Sequence, residues 1–253
     1  MTQSRLGILL ACMALSLSFV SLEGCKRNQA KASQNKSAKT ATRKAPKHRD
    51  INARFVSKKM NPKQWKGRFE NPKREVFKNR DAIVKEIGLK PGMALADVGA
   101  GSGAFLTPFV KAVGPKGKVY VVDISPNFVK FLRKRAKKEG YKQVKVIHST
   151  TTSTKLPANS VDVIFLCDTY HHFDKAKQMV TDFHQALRKN GTLVIVDFKR
   201  IPGVSSKWIL GHVKVNEQQV TAEVLANGFT LQRKVNLPVL KQNYMLIFKK
   251  KSK

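Results

Sequence analysis

From residue 93 onward, unbroken apolar runs alternate with stretches whose apolar residues recur three and four positions apart. "MALADVG" (93–99) is an apolar run ending in an acid, and "GAFLTPFVKAVG" (103–114) follows with helical spacing. "GKVYVVDIS" (117–125) predicts a strand. "SPNFVKFLRKRAKKEG" (125–140) predicts a helix capped by Ser125, with Pro126 at its first position. "KQVKVIHS" (142–149) and "SVDVIFLCD" (160–168) are further strands. "KAKQMVTDFHQALRKNG" (175–191) reads as an amphipathic helix stopped by Gly191, and "GTLVIVDF" (191–198) as another buried strand. Apolar strands interleaved with helices imply an α/β fold, a parallel sheet covered on both faces. The tail differs: "NEQQVTAEVLANGF" (216–229) predicts a helix. The residues after it hold two strands bent at Pro238, too close for a helical crossover and therefore antiparallel.

Upstream the pattern fades. Arg5 precedes an apolar stretch from Leu6 to Leu22 that has the length of a signal peptide's apolar region and ends in "SLEGC". Leu22 and Gly24 before Cys25 resemble the lipobox of bacterial lipoproteins. Glu23 departs from that pattern, and Lys26 and Arg27 resist export. A lipid anchor at Cys25 on the exported side of a membrane is the favoured reading, beside an uncleaved anchor and a cytoplasmic form. Residues 26–68 hold 15 basic residues and one acid, Asp50, with hardly any apolar periodicity, and read as a disordered tether. The expected organisation is therefore a signal segment (1–25), a basic tether (26–68) and a folded domain (69–253).

Charge and cysteine content narrow the possibilities modestly. The 253 residues carry a net charge of +33, and from Phe69 onward 33 basic residues still face 14 acids, so the domain itself is basic. Such a surface suits an anionic membrane through the tether but names no partner. Cys12, Cys25 and Cys167 provide no disulfide framework.

The candidate chemistry centres on "LADVGAGSGAF" (95–105). Glycines between a strand and a helix let backbone approach a ligand, and the helix start behind them favours negative charge or hydrogen-bond acceptors. Gly99, Gly101 and Ala104 fit the dinucleotide pattern GxGxxA, which admits a nicotinamide-dependent oxidoreductase. Asp97 before the glycines, Gly103 after them, and Asp123 ending the second strand shift the balance. An acid at that place accepts both hydroxyls of a ribose.

With these motifs the chain resembles the class I S-adenosylmethionine-dependent methyltransferases, in particular the type-11 group that includes quinone-biosynthesis C-methyltransferases. "ADVGAGSGAF", "VYVVDIS", "LPANSVDVIFLCDTYHHF" and "LRKNGTLVIVDF" occur in that family's order. "GRFENPKREVFKNRDAIVKEIGLKPGM" resembles the start of an often exported subgroup. The resemblance implies a Rossmann-like seven-stranded sheet of order 3-2-1-4-5-7-6, mostly parallel with the last strand antiparallel and helices on both faces. It implies S-adenosylmethionine as cofactor, its methionine part over Gly99, Ala100 and Gly101 and its ammonium at Asp97, with Gly103 and Asp168 also among the cofactor-binding residues. Asp123 would take the ribose, with Ile124 against the adenine. Thr150 stands where many members have an acid for the adenine amino group, and Asn190 stands where a glycine is usual.

The reacting region implied is "CDTYHHFD" (167–174), with Asp168 and His172 as candidate bases and Tyr170 and His171 lining the site. No metal is expected: a site built from Cys167, His171, His172 and Asp174 is disfavoured, since adjacent histidines on an extended segment point apart. The loop lacks the Asn/Asp-Pro-Pro-aromatic sequence common in methylation of nucleic-acid bases. The tether lacks interleaved aromatics that stack on bases, so no specific nucleic acid is expected. A small-molecule acceptor, lipophilic or acidic, is favoured. A noncatalytic nucleotide- or surface-binding lipoprotein and a nicotinamide-dependent oxidoreductase are the competing readings.

Overall fold

The computed structural model describes residues 51–252; the expectations for the signal segment, Cys12 and Cys25, and the tether up to residue 50 lie outside them. Seven strands form one sheet: β1 (Ala94–Val98), β2 (Lys118–Asp123), β3 (Val144–His148), β4 (Val161–Cys167), β5 (Leu187–Phe198), β6 (Phe229–Val235) and β7 (Asn243–Lys250). Their spatial order is β3-β2-β1-β4-β5-β7-β6. The first five run parallel and β7 is antiparallel to both its neighbours, as the resemblance implied.

Alternation along the strands divides the core. Leu95, Val121, Phe165 and Val194 point to one face and meet α4 (Arg80–Ile87) and α5 (Leu106–Val113) through Ile83, Leu106 and Phe109. Ala96, Val122, Ile164 and Ile195 point to the other, where α7 (Ala176–Ala186) and α9 (Glu217–Ala226) contribute Val180, Phe183, Val220 and Val224. Both faces are covered, so the strands read as continuous apolar runs.

Between β2 and β3, helix α6 (Pro126–Lys138) starts as expected. Ser125 is its N-cap and its side chain accepts from the Phe128 N–H. Two boundaries differ. The helix expected to run to Gly191 ends at Ala186, and Leu187 already pairs with Val161, because Asn190 turns left-handed (φ 62°) and the segment joins β5. A short helix, α8 (Lys207–His212), lies where no element was expected.

The larger correction concerns the tether. Residues 51–68 are part of the folded body, which the boundary at residue 69 left outside. Here α1 (Ala53–Val56) and α2 (Pro62–Phe69) are followed by α3 (Glu75–Lys78). Phe55 and Met60 are buried with Phe128 of α6, and Trp65 and Phe69 pack beside them. The Asn127 side chain donates to the carbonyl of Met60 at 2.9 Å, holding the turn between the two helices. Four well-spaced apolar side chains suffice because their partner surface comes from α6.

Phe128, 2% exposed, is the seat of this cluster. Phe128→Ala should cost about 3 kcal/mol or more by leaving a cavity under Phe55 and Phe69. Urea unfolding should show a lowered midpoint at an unchanged slope; an unchanged midpoint would mean that residues 51–69 do not pack on α6.

Candidate active site

The carboxyl ends of β1, β2 and β4 share one edge, where open parallel sheets receive ligands. At the end of β2, Asp123 is buried and accepts from two backbone donors: the Gly101 N–H at 2.7 Å on Oδ2 and the Ser125 N–H at 2.8 Å on Oδ1. Burial still raises this carboxyl to about 6, against the stabilising pull of the two N–H groups. The glycine turn after β1 is thereby fastened to the end of β2. Gly99 (φ 75°) and Gly101 (φ 55°) both lie in the left-handed region. A Cβ on Gly99 would meet Thr169 at 2.3 Å, and one on Gly101 would meet Phe69 at 3.0 Å. Gly103 serves differently: its missing side chain admits Leu132 of α6, and it faces helix packing where a cofactor contact was expected.

A cavity of about 350 Å³ opens beside this turn, within the range of small-ligand clefts. Gly99, Gly101, Asp123, Ile124, Thr150 and Asp168 line it. A smaller cavity of about 80 Å³ adjoins it through shared residues and is lined by Asp97, Ala100 and Cys167. Asp97 is 4% exposed, and no hydrogen bond to its carboxyl is formed among the described residues. Burial, with the nearby Asp123 charge, pushes it up to about 8. The Thr150 hydroxyl is engaged in its own loop, where it accepts from the Ser153 N–H at 3.0 Å.

The reacting region is arranged differently from the expectation. Asp168 (φ 50°) has both oxygens held: Arg74 donates to Oδ2 at 2.5 Å and Asn243 to Oδ1 at 2.6 Å. Burial raises it to about 6, partly offset by Arg74. It anchors the segment before α3 and lines the cavity, each oxygen keeping one further lone-pair direction. Arg74 also donates to the Phe69 carbonyl at 2.8 Å, which keeps the Phe69 ring over Gly101. Tyr170 turns away from the cavity; its hydroxyl donates to Glu223 at 2.7 Å, and burial raises its pKa.

Residues Tyr170–His172 form a single 3-10 turn, so the two histidines do not point apart as on an extended segment. Their rings are 4.4 Å apart, and His212 of α8 lies 5.1 and 5.3 Å from them. His171 is bonded through Nδ1 to Asp197 at 2.7 Å; burial lowers its pKa, but Asp197 outweighs this and the net shift is upward. His172 faces Asn52, 3.2 Å from Nδ1 to Oδ1, and burial followed by its histidine neighbours drops it to about 2. A group that weakly basic does not carry off a proton at neutral pH. His172 therefore lines the site as a neutral ring. Cys167 is held as the thiol by burial.

Several site residues escaped the sequence reading. Arg54, Phe55, Trp65, Phe69 and Arg74 come from the supposed tether and the segment after it, and Trp208 and His212 from the unforeseen α8. The apolar spacing Phe55, Met60, Trp65, Phe69 was the available signal, masked by the lysines and arginines between.

Comparison with known proteins agrees with this geometry. The family model described as a methyltransferase domain matches residues 96–195, from β1 to β5. A demethylmenaquinone methyltransferase of Geobacillus stearothermophilus is 26% identical over 124 residues, 49% of this chain and 53% of that protein. Nocamycin O-methyltransferase of Saccharothrix syringae is 29% identical over 126 residues, 50% and 45% of the two chains. The chain thus spans about half the length of the curated relatives it matches. The crystal structure of an S-adenosylmethionine-dependent methyltransferase from Aquifex aeolicus superposes with a TM-score of 0.66 at 28% identity, covering 75% of this chain and 98% of that one. The match over residues 96–195 and the Aquifex structure together support a class I S-adenosylmethionine-dependent methyltransferase domain in this chain. The residues present fit that cofactor: Gly99, Gly101 and Asp123 line the larger cavity, and Asp97, a buried acid, lines the smaller one beside it.

Asp97 also sets a pH signature. Its folded-state carboxyl titrates near 8 and an unfolded one near 4, so the stability gained by burying it protonated is complete below about pH 4 and lost as pH rises through 8. Asp97→Asn stays neutral throughout. Without ligand it should lie within about 1 kcal/mol of the wild type near pH 4.5 and exceed it at pH 8.5 by on the order of a few kcal/mol in urea unfolding. Equal differences at both pH values would contradict the assignment.

Proposed function

We propose that this protein transfers a methyl group from S-adenosylmethionine to a small, planar, lipophilic acceptor bearing an acidic oxygen. The observation that carries the reading is the placement of the doubly anchored Asp123 and the buried Asp97 on two adjoining cavities that share the glycine turn. When bound, the cofactor supplies an electrophilic methyl on a sulfonium. Each Asp123 oxygen spends one lone-pair direction on a backbone N–H and keeps another for a ribose hydroxyl. Asp97 takes the cofactor's ammonium, and Phe69, fixed by Arg74, closes over the turn and excludes water.

The acceptor side is suited to a flat apolar molecule. Phe55, Trp65, Phe173, Phe198 and Trp208 line it, with the Arg54 and Arg68 guanidiniums 5.2 and 4.8 Å from the centre of the Trp65 ring. Those cations favour an acceptor that carries negative charge. The names of the relatives, one acting on demethylmenaquinone and one an O-methyltransferase, support an oxygenated ring as acceptor. The residues here act chiefly by holding the acceptor in line with the methyl group, which supplies much of the barrier reduction in such transfers.

Titration calorimetry tests the reading. The protein should bind S-adenosylmethionine and S-adenosylhomocysteine and give no heat with NAD(H). Asp123→Ala, checked for folding by circular dichroism, should weaken S-adenosylhomocysteine by on the order of 2–4 kcal/mol through loss of charge-assisted hydrogen bonds. Binding of NAD(H), or unaltered affinity in Asp123→Ala, would overturn it.

A further inference from the structure

Three imidazoles meet at the acceptor end of the cavity. One ring nitrogen from each of His171, His172 and His212 lies within 4.8 Å of the other two. His171 sits in the 3-10 turn behind β4 with its side chain 1% exposed. Its Nδ1 is committed to Asp197, whose other carboxylate oxygen accepts the His171 backbone N–H at 3.2 Å, so ring and backbone are gripped together. Its Nε2 is buried and has no hydrogen-bond partner. A buried ring nitrogen left unsatisfied is costly unless something is meant to meet it. His172 is oriented in the same manner, with Asn52 Oδ1 3.2 Å from its Nδ1. His212 reaches the pair from α8, stacked on Trp208 with ring centres 4.8 Å apart.

We propose that His171, His172 and His212 bind a divalent transition-metal cation, with Zn(II) as the reference ion, in a three-histidine site whose fourth position opens on the acceptor cavity. Imidazoles suit zinc and its neighbours in the first transition row, and three protein ligands with an open place are the pattern of a site that takes a further ligand. Nitrogens about 2 Å from a shared ion lie some 3.4 Å apart in tetrahedral geometry, so the side chains have a short inward distance to close. Asp197 and Asn52 are the outer groups that fix ring orientation in such sites. The His171–Asp197 bond also leaves Nε2 as the nitrogen that His171 offers.

The open position would hold an oxygen of the acceptor, as a phenolate, enolate or carboxylate. That role rests on the methyl-transfer reading, whereas metal binding does not. A cation there would stabilise the acceptor in its anionic form.

The experiment uses the metal alone. The purified protein, stripped with a chelator, is titrated with Zn(II) and separately with Co(II), and the zinc in untreated protein is counted by elemental analysis. One equivalent should bind with sub-micromolar affinity, and Co(II) should give the strong visible absorption of a four-coordinate site. His212→Gln, on a short and partly exposed helix, should lower affinity at least ~100-fold while keeping the wild-type circular dichroism. Asp197→Asn should lower it about 10–100-fold. His171→Gln is a further check where it folds. Absence of stoichiometric binding, a six-coordinate cobalt spectrum, or binding that persists in His212→Gln would overturn the site. S-adenosylhomocysteine titrated in parallel separates the two claims: cofactor binding without metal binding removes this site alone, and metal binding without cofactor binding removes the function proposed above.

Discussion

The Asp123 carboxyl is what makes one site out of two turns. It accepts backbone N–H groups from Gly101, in the turn after β1, and from Ser125, at the start of α6. Neither turn could hold its shape as well by itself: the first is built from glycines in the left-handed region, and the second must redirect the chain from a buried strand into a helix. Once the two are joined, Gly99 and Gly101 are presented to the cavity and Asp97 is left behind them in a dry space with a like charge beside it. Raised pKa values in a cleft follow from that arrangement, as expected where binding chemistry has been built into a fold.

A second set of contacts covers the site from the front. Arg74 bridges the Phe69 carbonyl and Asp168, and the Glu75 carboxylate accepts the N–H groups of Lys241, Gln242 and Asn243 at 2.7 to 2.9 Å. Asn243 in turn holds the other oxygen of Asp168. The segment before β1 is therefore tied to the loops after β4 and before β7. Phe69 owes its position over Gly101 to this clasp, and the acceptor side owes its aromatic wall to the same segment. Arg135 extends the fastening by donating to Glu70 at 2.6 Å and to the Ser102 carbonyl at 2.9 Å.

The sheet and the cofactor side were legible because their determinants are local. Apolar runs ending in Asp97 and Asp123, a Ser-Pro helix start and a glycine-rich turn each show within a dozen residues. The strand order came from resemblance to a family, not from periodicity. What escaped is nonlocal. Asp168 looks like a free carboxylate until Arg74, 94 positions earlier, and Asn243, 75 positions later, close on it. His171 and His172 look divergent until the 3-10 turn is seen, and His212 lies forty residues further along. Residues 51–68 look like solvated chain because their few apolar side chains are spaced among lysines and arginines, and Phe128, which completes their core, is remote in sequence. Composition describes such a segment faithfully and still misses that its partner surface exists.

The central claim is that the buried Asp97 receives the cation of the cofactor, and proton release on binding measures this most directly. Near pH 7 the carboxyl, raised to about 8, is mostly protonated, and pairing with an ammonium lowers its pKa and expels the proton. Calorimetric titration with S-adenosylhomocysteine in buffers of different ionisation enthalpy should show close to one proton released at pH 7, with affinity rising between about pH 6 and 8. Both effects should vanish in Asp97→Asn. Binding that releases no proton and is independent of pH over this range would contradict the account.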